Sequence, residues 1–558
     1  MASLKGQIWR LRGDSTRVSG SLLDRLLQRR GVKPSEVPLF LAPRLADLPS
    51  PFSFSQMEKA VAIVKRLARQ KGRVVIYGDY DVDGVASSAI ISETLSSLNL
   101  APRVYIPERL REGYGMKLAS LREIVKEKPD CLIAVDTGIT ASEEISFLKT
   151  KKIETIVIDH HEPKEKLPLA DAILNPKAEE SGYPFKELSS SGISFQLARA
   201  LDREIKGGDR ETWRFLDLAA LGTIADVVPL LSDNRIIAKF GLERMSASRR
   251  PGLLALRKLL SLDGVLDTHH VSFMIGPRLN AAGRIEHASL AYNLLTSGDV
   301  LEAYELAQYL HELNLIRQNL TDKIFLEAKE QARSQLKRNI LLVAGKGWSI
   351  GVAGIVANRL VEEFRKPAVV FEEVDGYLKG SARSIEGVDL YSLLEKASDL
   401  LESFGGHKGA AGLMLKKEDF PRFQKKLWQS AKAIPPKLMK PTLYLDEMVE
   451  AKEIGGRLHE ELTRLKPYGL GNEEPLLWLR EARIREVRKS KGSRGPHLKV
   501  LFEGLNMPAY WFGEGERASR LSPGQRVEAA LSLGTMNYLG HPVLRLRLHD
   551  IGLLKLID

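Results

Sequence analysis

A chain of 558 residues suggests three or four domains, at about 150 residues per domain. Its composition, 44% hydrophobic and 28% charged, excludes fibrous, collagen-like and largely disordered proteins. The 83 Lys and Arg residues outnumber the 71 Asp and Glu residues by 12. This excess favours a polyanionic partner such as nucleic acid or an anionic membrane surface, although many soluble proteins are simply basic.

Cysteine content and hydropathy exclude further classes of protein. Cys131 is the single cysteine, which excludes a disulfide framework and a thiolate zinc site. The N-terminal residues lack an apolar signal region, and no uncharged stretch is long enough to span a bilayer. We therefore expect a cytoplasmic protein that does not bind a membrane.

The first half of the chain has the pattern of an α/β domain. Residues 1–55 are predicted to form an N-terminal extension that ends in a Pro/Ser-rich linker. Residues 56–300 alternate helical segments with short apolar runs, as in βαβ units with a parallel sheet. The apolar runs expected to be strands are 74–77, 131–135, 155–158 and 218–224.

The second half predicts three further regions. Residues 301–338 carry a long helical pattern without evident caps, expected to be a connecting helix. Residues 339–433 form a second α/β unit. Residues 440–558 change to short alternating segments joined by turns, which predicts an OB-like β-barrel. The predicted fold class is thus α/β, with two α/β domains, a connecting helix and a C-terminal barrel.

Acidic and histidine residues follow all four apolar runs. In an open parallel sheet the carboxyl ends of the strands border one crevice, where ligands bind. Carboxylates at that density require a compensating cation, and oxygen ligands with imidazoles suit Mn²⁺ or Mg²⁺. Two such ions about 4 Å apart would serve phosphoester hydrolysis. The residues are Asp79, Asp81, Asp83, Asp136, Asp159, His160, His161 and Asp226.

A simpler interpretation exists for each acid alone. A single Asp after a strand is most often a turn former or a helix N-cap. Asp79 and Asp159 fit that interpretation, and Asp159 can also orient a neighbouring ligand. Recurrence of the same chemistry after four successive runs favours the metal site.

Five motifs resemble the DHH phosphoesterase superfamily. GDYDVDG (78–84), VDTG (135–138), DHH (159–161) and GTIAD (222–226) look like its motifs I to IV, and GGHKGAAG (405–412) resembles the signature of the companion DHHA1 domain. The order and spacing of these motifs, with the extra barrel, are similar to the single-strand-specific DNA exonuclease branch. The resemblance covers about residues 60–550.

The resemblance implies roles for individual residues. Asp81, Asp83, Asp136, His160 and Asp226 would hold two Mn²⁺ or Mg²⁺ ions. His161 would face the scissile phosphate as an electrophile or acid, Asp79 would be a further catalytic acid, and His407 would lie near the scissile group. Many superfamily members carry His where this chain has Tyr77, a difference that the nuclease branch often shares.

Basic and glycine-rich segments are candidates for binding the substrate. Arg109 lies in a charged loop, and Arg278, Asn280 and Arg284 lie in 276–284, expected to be a loop where guanidinium groups can bind phosphate. By resemblance, Ser381 and Arg383 would bind the 5′-phosphate side. Gly406 is a further candidate, because small residues let main-chain N–H groups approach a phosphate. The alternatives are solvated surface charges, an arginine paired with Glu286, and glycines needed for tight packing.

The predicted barrel carries the densest positive charge. Between residues 480 and 499, eight Lys and Arg residues stand against two Glu residues. Tyr468, Trp478, Tyr510 and Trp511 lie nearby, and a basic surface with aromatic residues is typical of single-strand binding by OB-folds.

The activity implied by the resemblance is a single-stranded-DNA-specific 5′→3′ exonuclease of recombination and repair. It would release 5′-mononucleotides by two-metal hydrolysis, with a single-strand-binding protein and a recombination helicase as protein partners. One alternative is a DHH enzyme acting on oligoribonucleotides, cyclic dinucleotides or pyrophosphate, which the basic barrel disfavours. Another is a non-catalytic nucleic-acid-binding scaffold, which the intact acids and histidines disfavour.

Overall fold

A computed structural model describes residues 2–13, 19–113, 115–491, 495–538 and 541–554. The strands of these residues are β1 (Ala2–Ser3), β2 (Ile8–Leu11), β3 (Val74–Gly78), β4 (Arg103–Tyr105), β5 (Cys131–Val135), β6 (Glu154–Ile158), β7 (Ala172–Leu174), β8 (Leu341–Lys346), β9 (Ala368–Val374), β10 (Tyr377–Arg383), β11 (Ser403–Gly406), β12 (Ala410–Lys416), β13 (Thr442–Leu445), β14 (Glu447–Val449), β15 (Leu477–Ser490), β16 (His497–Phe502), β17 (Ala509–Trp511), β18 (Arg526–Tyr538) and β19 (His541–Leu553).

The α-helices of the same residues are α1 (Leu22–Arg29), α2 (Val37–Leu41), α3 (Met57–Gln70), α4 (Val82–Ser97), α5 (Arg109–Glu112), α6 (Leu118–Lys126), α7 (Ser142–Thr150), α8 (Ser190–Lys206), α9 (Leu216–Ala225), α10 (Ser232–Ser246), α11 (Pro251–Leu259), α12 (Gly276–Ile285), α13 (Ser289–Thr296), α14 (Val300–Arg333), α15 (Ile350–Phe364), α16 (Leu390–Glu395), α17 (Phe420–Ser430) and α18 (Gly456–Thr463). None of these helices is both long enough and apolar enough to cross a membrane.

A parallel sheet forms the centre of the first α/β domain. Its strand order is β4-β3-β5-β6-β7, and every neighbouring pair is parallel. Every residue of β3 and β5 is buried, because helices cover both faces of a parallel sheet. The sequence therefore shows these strands as unbroken apolar runs. Their carboxyl ends lie at one edge, as expected for an α/β fold.

The predicted strand at 218–224 is wrong, because these residues lie in α9. This helix is apolar on all sides, and its residues from Leu216 to Ile224 are all buried. A helix buried all round loses the 3.6-residue polar period, so a short apolar run does not distinguish it from a buried strand. Asp226 is consequently the C-cap of a helix rather than the residue after a strand.

The segment 276–284, expected to be a loop, is also helical. It forms most of α12, which follows a π-helical turn at His270–Ile275 and has a proline in its first turn. The predicted connecting helix is α14, and it does have a cap. The Asp299 carboxylate accepts the N–H groups of Leu301 and Glu302, both at 2.8 Å.

The second α/β domain contains a mixed sheet of order β11-β12-β10-β9-β8. β8 and β9 are parallel, and the other pairs are antiparallel. α15 packs on β9 and β10. Together with the first domain and α14, this domain belongs to a compact unit of residues 44–434 and 469–472.

The other compact unit contains residues 1–43, 435–468 and 473–558. Its strands close into a barrel in the order β15-β16-β17-β19-β18, with β18 pairing back to β15. The N-terminal segment is part of this unit, because β1 pairs with β19 and β2 pairs with β13. Trp511 lies in the barrel core, and the Trp478 indole donates a hydrogen bond to Glu528.

Candidate metal centre and substrate cleft

The acids of GDYDVDG occupy the turn between β3 and α4. Asp81 is the N-cap of α4, and its Oδ1 accepts the N–H groups of Asp83 at 2.9 Å and Gly84 at 3.1 Å. Asp79 is 3% exposed and precedes this turn. Gly84 is required here, because a Cβ on it would lie 2.6 Å from the Asp79 carbonyl oxygen. The simpler N-cap interpretation is therefore true of Asp81, whose second carboxylate oxygen remains available to a ligand.

Asp83 points towards the N-terminus of α8. Its two carboxylate oxygens accept the N–H groups of Ser190 at 2.8 Å and Ser191 at 2.9 Å. Helix N-termini stabilise negative charge through these unpaired amides. A Cβ on Gly222 of α9 would collide with both Asp83 and Ser191, so this glycine of GTIAD makes room for the carboxylate.

Asp136 and His160 bring the next two strand ends to the same point. Asp136 follows β5 with a φ of 61°, a strained conformation that Asp tolerates better than most residues. Its Oδ1 accepts the Ser190 hydroxyl at 2.8 Å. His160 Nε2 lies 3.4 Å from Asp136 Oδ1 and 3.4 Å from Asp226 Oδ2. The helix end that carries Asp226 thus completes the site.

Asp159 orients its neighbour. Its Oδ1 lies 2.7 Å from His161 Nδ1, and its Oδ2 accepts the Ile139 N–H at 3.0 Å. Burial alone would lower the pKa of His161, but the hydrogen bond and charge of Asp159 raise it to about 9. The second interpretation of Asp159 from sequence, a residue that orients a ligand, agrees with this geometry.

Seven of these side chains form three overlapping groups, each with ligand atoms within 4.8 Å of one another. Burial, and then neighbouring carboxylates, raise the pKa values of the buried acids Asp136 and Asp226. Burial also lowers the pKa of His160 to about 3, which keeps its imidazole neutral. We call the seven residues the metal centre: Asp79, Asp81, Asp83, Asp136, His160, His161 and Asp226.

The metal centre fits a hard divalent cation. Oxygen donors dominate, imidazole is present, and no thiolate is available from the single buried cysteine. The buried Oδ1 of Asp79 has no hydrogen-bond partner among the described residues. Uncompensated buried carboxylates are costly, and a bound cation removes that cost.

Arginines from both α/β domains border the metal centre. The Arg109 guanidinium lies 4.9 Å from the centre of the Tyr80 ring. Arg284 Nη1 donates to the Gly351 carbonyl oxygen at 3.1 Å and so joins α12 to α15. Burial, and then the charge of Arg109, lower the pKa of Arg284 to about 10 and lower that of Arg383. This mutual repulsion makes the cleft a strong attractor of phosphate.

The other predicted substrate residues lie on the same two domains. Arg383 Nη1 donates to Ser381 Oγ at 3.3 Å on β10. Burial, then Arg383 and His161, lower the pKa of His407, which is exposed beyond β11. Arg278 donates to His311 Nδ1 at 3.2 Å and to a main-chain carbonyl, so its guanidinium is partly engaged within the protein. Asn280 lies half-buried on α12, and Gly406 ends β11 with a φ of 144°.

Comparison with known proteins gives the same three regions. The chain matches the DHH family N-terminal domain over residues 73–223, the DHHA1 domain over 337–433 and the RecJ OB domain over 445–550. The single-stranded-DNA-specific exonuclease RecJ of Bacillus subtilis is 38% identical over 547 residues, which are 96% of this chain and 69% of the relative. The chain belongs to the RecJ family.

Solved RecJ structures have the same fold. A crystal structure of RecJ in complex with Mn²⁺ from Thermus thermophilus matches with a TM-score of 0.84 and 29% identity, covering 100% of this chain and 81% of that one. A crystal structure of RecJ in complex with Mg²⁺ from the same organism matches with a TM-score of 0.77 and 27% identity, covering 99% and 79%. The resemblance drawn from the motifs and the predicted fold class are confirmed.

Two serines that no motif singled out position the acids of this RecJ-type centre. Ser190 and Ser191 bind Asp83 and Asp136, yet serines carry no metal-site signal of their own. The available signal was the run of serines at 189–191 before a helical pattern, which is typical of an N-cap. Arg317 of α14, whose charge lowers the pKa of Arg284, was also missed, because a lone arginine on a long helix usually faces solvent.

We expect Ser190→Ala to lower Mn²⁺ affinity by about 10- to 100-fold, the usual effect of losing a partner of a ligand. The hydroxyl donates to Asp136 Oδ1, and its loss lets that carboxylate rotate. Mn²⁺ titration followed by thermal melting measures the change. Ser194→Ala is the matched control, because the buried Ser194 hydroxyl has no hydrogen-bond partner among the described residues. Equal affinities in the two variants would contradict the role of Ser190.

We expect Gly354→Ala to displace Arg383 and raise the KM for substrate severalfold. A Cβ on Gly354 would lie 2.8 Å from Arg383 Nη2 and 3.0 Å from Ser381 Oγ. Gly412→Ala is the control, since a Cβ there meets no atom within 4 Å. Steady-state kinetics of both variants measure the effect, and an unchanged KM in Gly354→Ala would show that the site accommodates the methyl group.

Proposed function

We propose that this protein is a single-stranded-DNA-specific 5′→3′ exonuclease that releases 5′-mononucleotides by metal-dependent phosphodiester hydrolysis. The observation that carries the proposal is a metal centre of seven acids and histidines bordered by arginines whose charges repel one another. Relatives named as single-stranded-DNA-specific exonucleases, one of them 38% identical, support the substrate class. A role in DNA recombination and repair, implied by the motif resemblance, is part of the proposal.

The proposed centre holds two divalent cations, Mn²⁺ or Mg²⁺, which would activate water and neutralise charge on the phosphoryl oxygens. Asp81, Asp83, Asp136, His160 and Asp226 are the proposed ligands. The Ser190 and Ser191 amides fix Asp83 while α9 presents Asp226. The crystal structures of RecJ with Mn²⁺ and with Mg²⁺ support this choice of ions.

His161 is the proposed group that faces the scissile phosphate. Asp159 holds its Nδ1 at 2.7 Å, which directs the other ring nitrogen away from that carboxylate. A protonated imidazole in this position donates a hydrogen bond to a phosphoryl oxygen or a proton to the leaving oxygen. Asp79, a buried acid of the metal centre, is proposed as a further catalytic acid with a less direct role.

The second α/β domain supplies the proposed grip on the 5′ end. Ser381 and Arg383 share one face of β10, and Gly354 leaves space for the guanidinium. Arg109 and Arg284 extend the positive surface from the first domain. Holding a terminal phosphate at a fixed distance from the metal centre would select the first phosphodiester bond and give 5′→3′ polarity. The further proposed contacts with the substrate are Arg278, Asn280, Gly406 and His407.

The division of the chain is part of the proposal. We assign residues 56–300 to the catalytic DHH domain, 301–338 to the connecting helix, 339–433 to the DHHA1 domain and 440–558 to a nucleic-acid-binding barrel. The basic stretch 480–499 supports single-strand binding by the barrel. A cytoplasmic location and functional contacts with a single-strand-binding protein and a recombination helicase complete the proposal.

Substrate length tests the function. Long single-stranded DNA, blunt duplex DNA and a dinucleotide are each incubated with the full chain and Mn²⁺, and the released mononucleotide is quantified. The proposal predicts fast release from long single strands, little from the duplex and a much lower kcat/KM for the dinucleotide. Preferential hydrolysis of the dinucleotide would assign the protein to the small-substrate DHH enzymes. Binding without hydrolysis of any substrate would make it a scaffold.

A further inference from the structure

A second cationic cavity lies in the first α/β domain, away from the metal centre. It has a volume of about 600 Å³, which is within the range of small-ligand sites. Glu93 of α4 and Asp217 of α9 belong to its lining. On α4, Glu93 is about 15 Å along the helix axis from Asp83, and on α9 Asp217 is roughly 13 Å from Asp226. The cavity therefore lies at the opposite ends of the two helices that carry metal-centre acids.

Arg250 contacts both acids of this cavity. Its guanidinium forms an ion pair with Glu93 and lies 3.6 Å from Asp217 Oδ2. It also donates to the Leu295 carbonyl oxygen at 2.8 Å. Asp217 accepts a further hydrogen bond from Ser248 at 3.0 Å. The lining thus carries two carboxylates against four arginines, which leaves it with a formal net charge of +2.

Three more arginines of the lining, Arg214, Arg244 and Arg249, are exposed, and the described residues form no ion pair with them. The Arg214 guanidinium lies 4.6 Å from the centre of the Phe215 ring, which leaves its N–H groups available. The buried Nε of Arg250 faces Asp217 Oδ2 at 3.6 Å, so Arg250 is engaged by the acids and the three exposed arginines are left for a ligand. The cavity therefore combines a formal net charge of +2 with three exposed guanidinium groups that form no ion pair with the described residues.

We infer that this cavity is a second anion site, which binds the phosphate group of a nucleotide or of a nucleic-acid backbone. A tetrahedral phosphate accepts paired hydrogen bonds from several guanidinium groups at once. The N-terminus of α11, a nine-residue helix that begins at Pro251 in the lining, adds a favourable dipole. Because no residue is shared with the metal centre, the site is independent of the proposed hydrolysis.

Arginine labelling tests the site residue by residue. The metal-free protein is treated with phenylglyoxal, and peptide mass spectrometry gives the modification rate at each arginine. Saturating inorganic phosphate should slow modification of Arg214, Arg244 and Arg249 severalfold. Arg122, an exposed arginine of α6, is the internal control and should keep its rate. The proposal would be overturned if the three cavity arginines kept their modification rates with inorganic phosphate and with both nucleotide probes described next. Equal slowing at Arg122 would also overturn it.

Two further probes distinguish the source of the phosphate. Protection by deoxyadenosine monophosphate as well as by inorganic phosphate would identify a free nucleotide. Protection by a long single-stranded oligonucleotide, with none by the mononucleotide, would identify a DNA backbone. Labelling requires no turnover, so an inactive enzyme with protected arginines would refute only the exonuclease proposal.

A variant provides the second measurement. Inorganic phosphate bound in this cavity should raise the melting temperature of the protein. That part of the rise should be absent from a triple variant that combines Arg214→Ala, Arg244→Ala and Arg249→Ala. The control is a triple variant that loses the same charge from exposed positions elsewhere and should retain the full rise. It combines Arg122→Ala, Lys149→Ala and Lys425→Ala. Equal rises in the two triple variants would contradict the anion site.

Discussion

Asp136→Asn should abolish Mn²⁺-dependent release of nucleotides, with a loss of about 10³-fold or more in kcat, comparable to losing a key electrostatic group of a transition state. Asp136 belongs to two of the three groups of the metal centre, and its Oδ1 faces His160 Nε2. The amide keeps the shape of the side chain and can still accept the Ser190 hydroxyl. The charge that holds the cation is lost.

The same variant should melt at a higher temperature than the wild type when both are metal-free. Burial and the neighbouring carboxylates raise the pKa of Asp136, so its negative charge destabilises the empty centre. The rise in melting temperature caused by Mn²⁺ should be smaller in the variant. Asp130→Asn at the other end of β5 is the control and should match the wild type in both measurements. A metal-free variant that melts lower than the wild type would contradict the role of Asp136.

Arg383→Gln should lower kcat/KM on single-stranded DNA by roughly 30-fold, which corresponds to about 2 kcal/mol for a hydrogen-bonded charge. Arg383 is mostly buried, and its guanidinium repels Arg109 when no anion is bound. The effect should fall mainly on KM, because the proposed contact between the guanidinium and the substrate phosphate forms before the reaction and persists during it.

Charge and geometry at this position are separable. Arg383→Lys keeps the charge but loses the planar fork, so its kcat/KM should lie between those of the wild type and Arg383→Gln. Lys425→Gln removes an exposed charge on α17 and should behave as the wild type. On DNA with a 5′-hydroxyl in place of the 5′-phosphate, the wild type and Arg383→Gln should have the same kcat/KM. If their kcat/KM values still differed, Arg383 would not bind the terminal phosphate.

The sequence predicted the chemistry of the centre better than its architecture. Asp81, Asp83 and Asp136 follow buried strands whose unbroken apolar runs are visible in the sequence. Asp226 was singled out by its motif but placed on the wrong element, because a helix buried on all sides has no polar period. The helical path of 276–284 was missed for a related reason, since its glycine and proline are typical of loops as well as of helix starts.

Contacts between distant segments were beyond the sequence. Ser190 reaches Asp83 and Asp136 across 107 and 54 positions of the chain, and no local pattern encodes that pairing. The pairing of β1 with β19, which joins the N-terminal segment to the barrel unit, is equally non-local. The high density of positive charge at 480–499 is visible in the sequence. Which of the nearby aromatic residues lie in the core depends on packing, as the buried Trp511 shows.

End-labelled DNA tests the central claim most directly. Single-stranded DNA labelled at its 5′ or 3′ end is digested by the full chain with Mn²⁺ or Mg²⁺, alongside metal-free enzyme and Asp136→Asn. We predict that the 5′ label is released first, as a mononucleotide, only with the metal and only by the wild type. Release of the 3′ label first would contradict the assigned polarity, and release by the metal-free enzyme or by Asp136→Asn would contradict the metal centre itself.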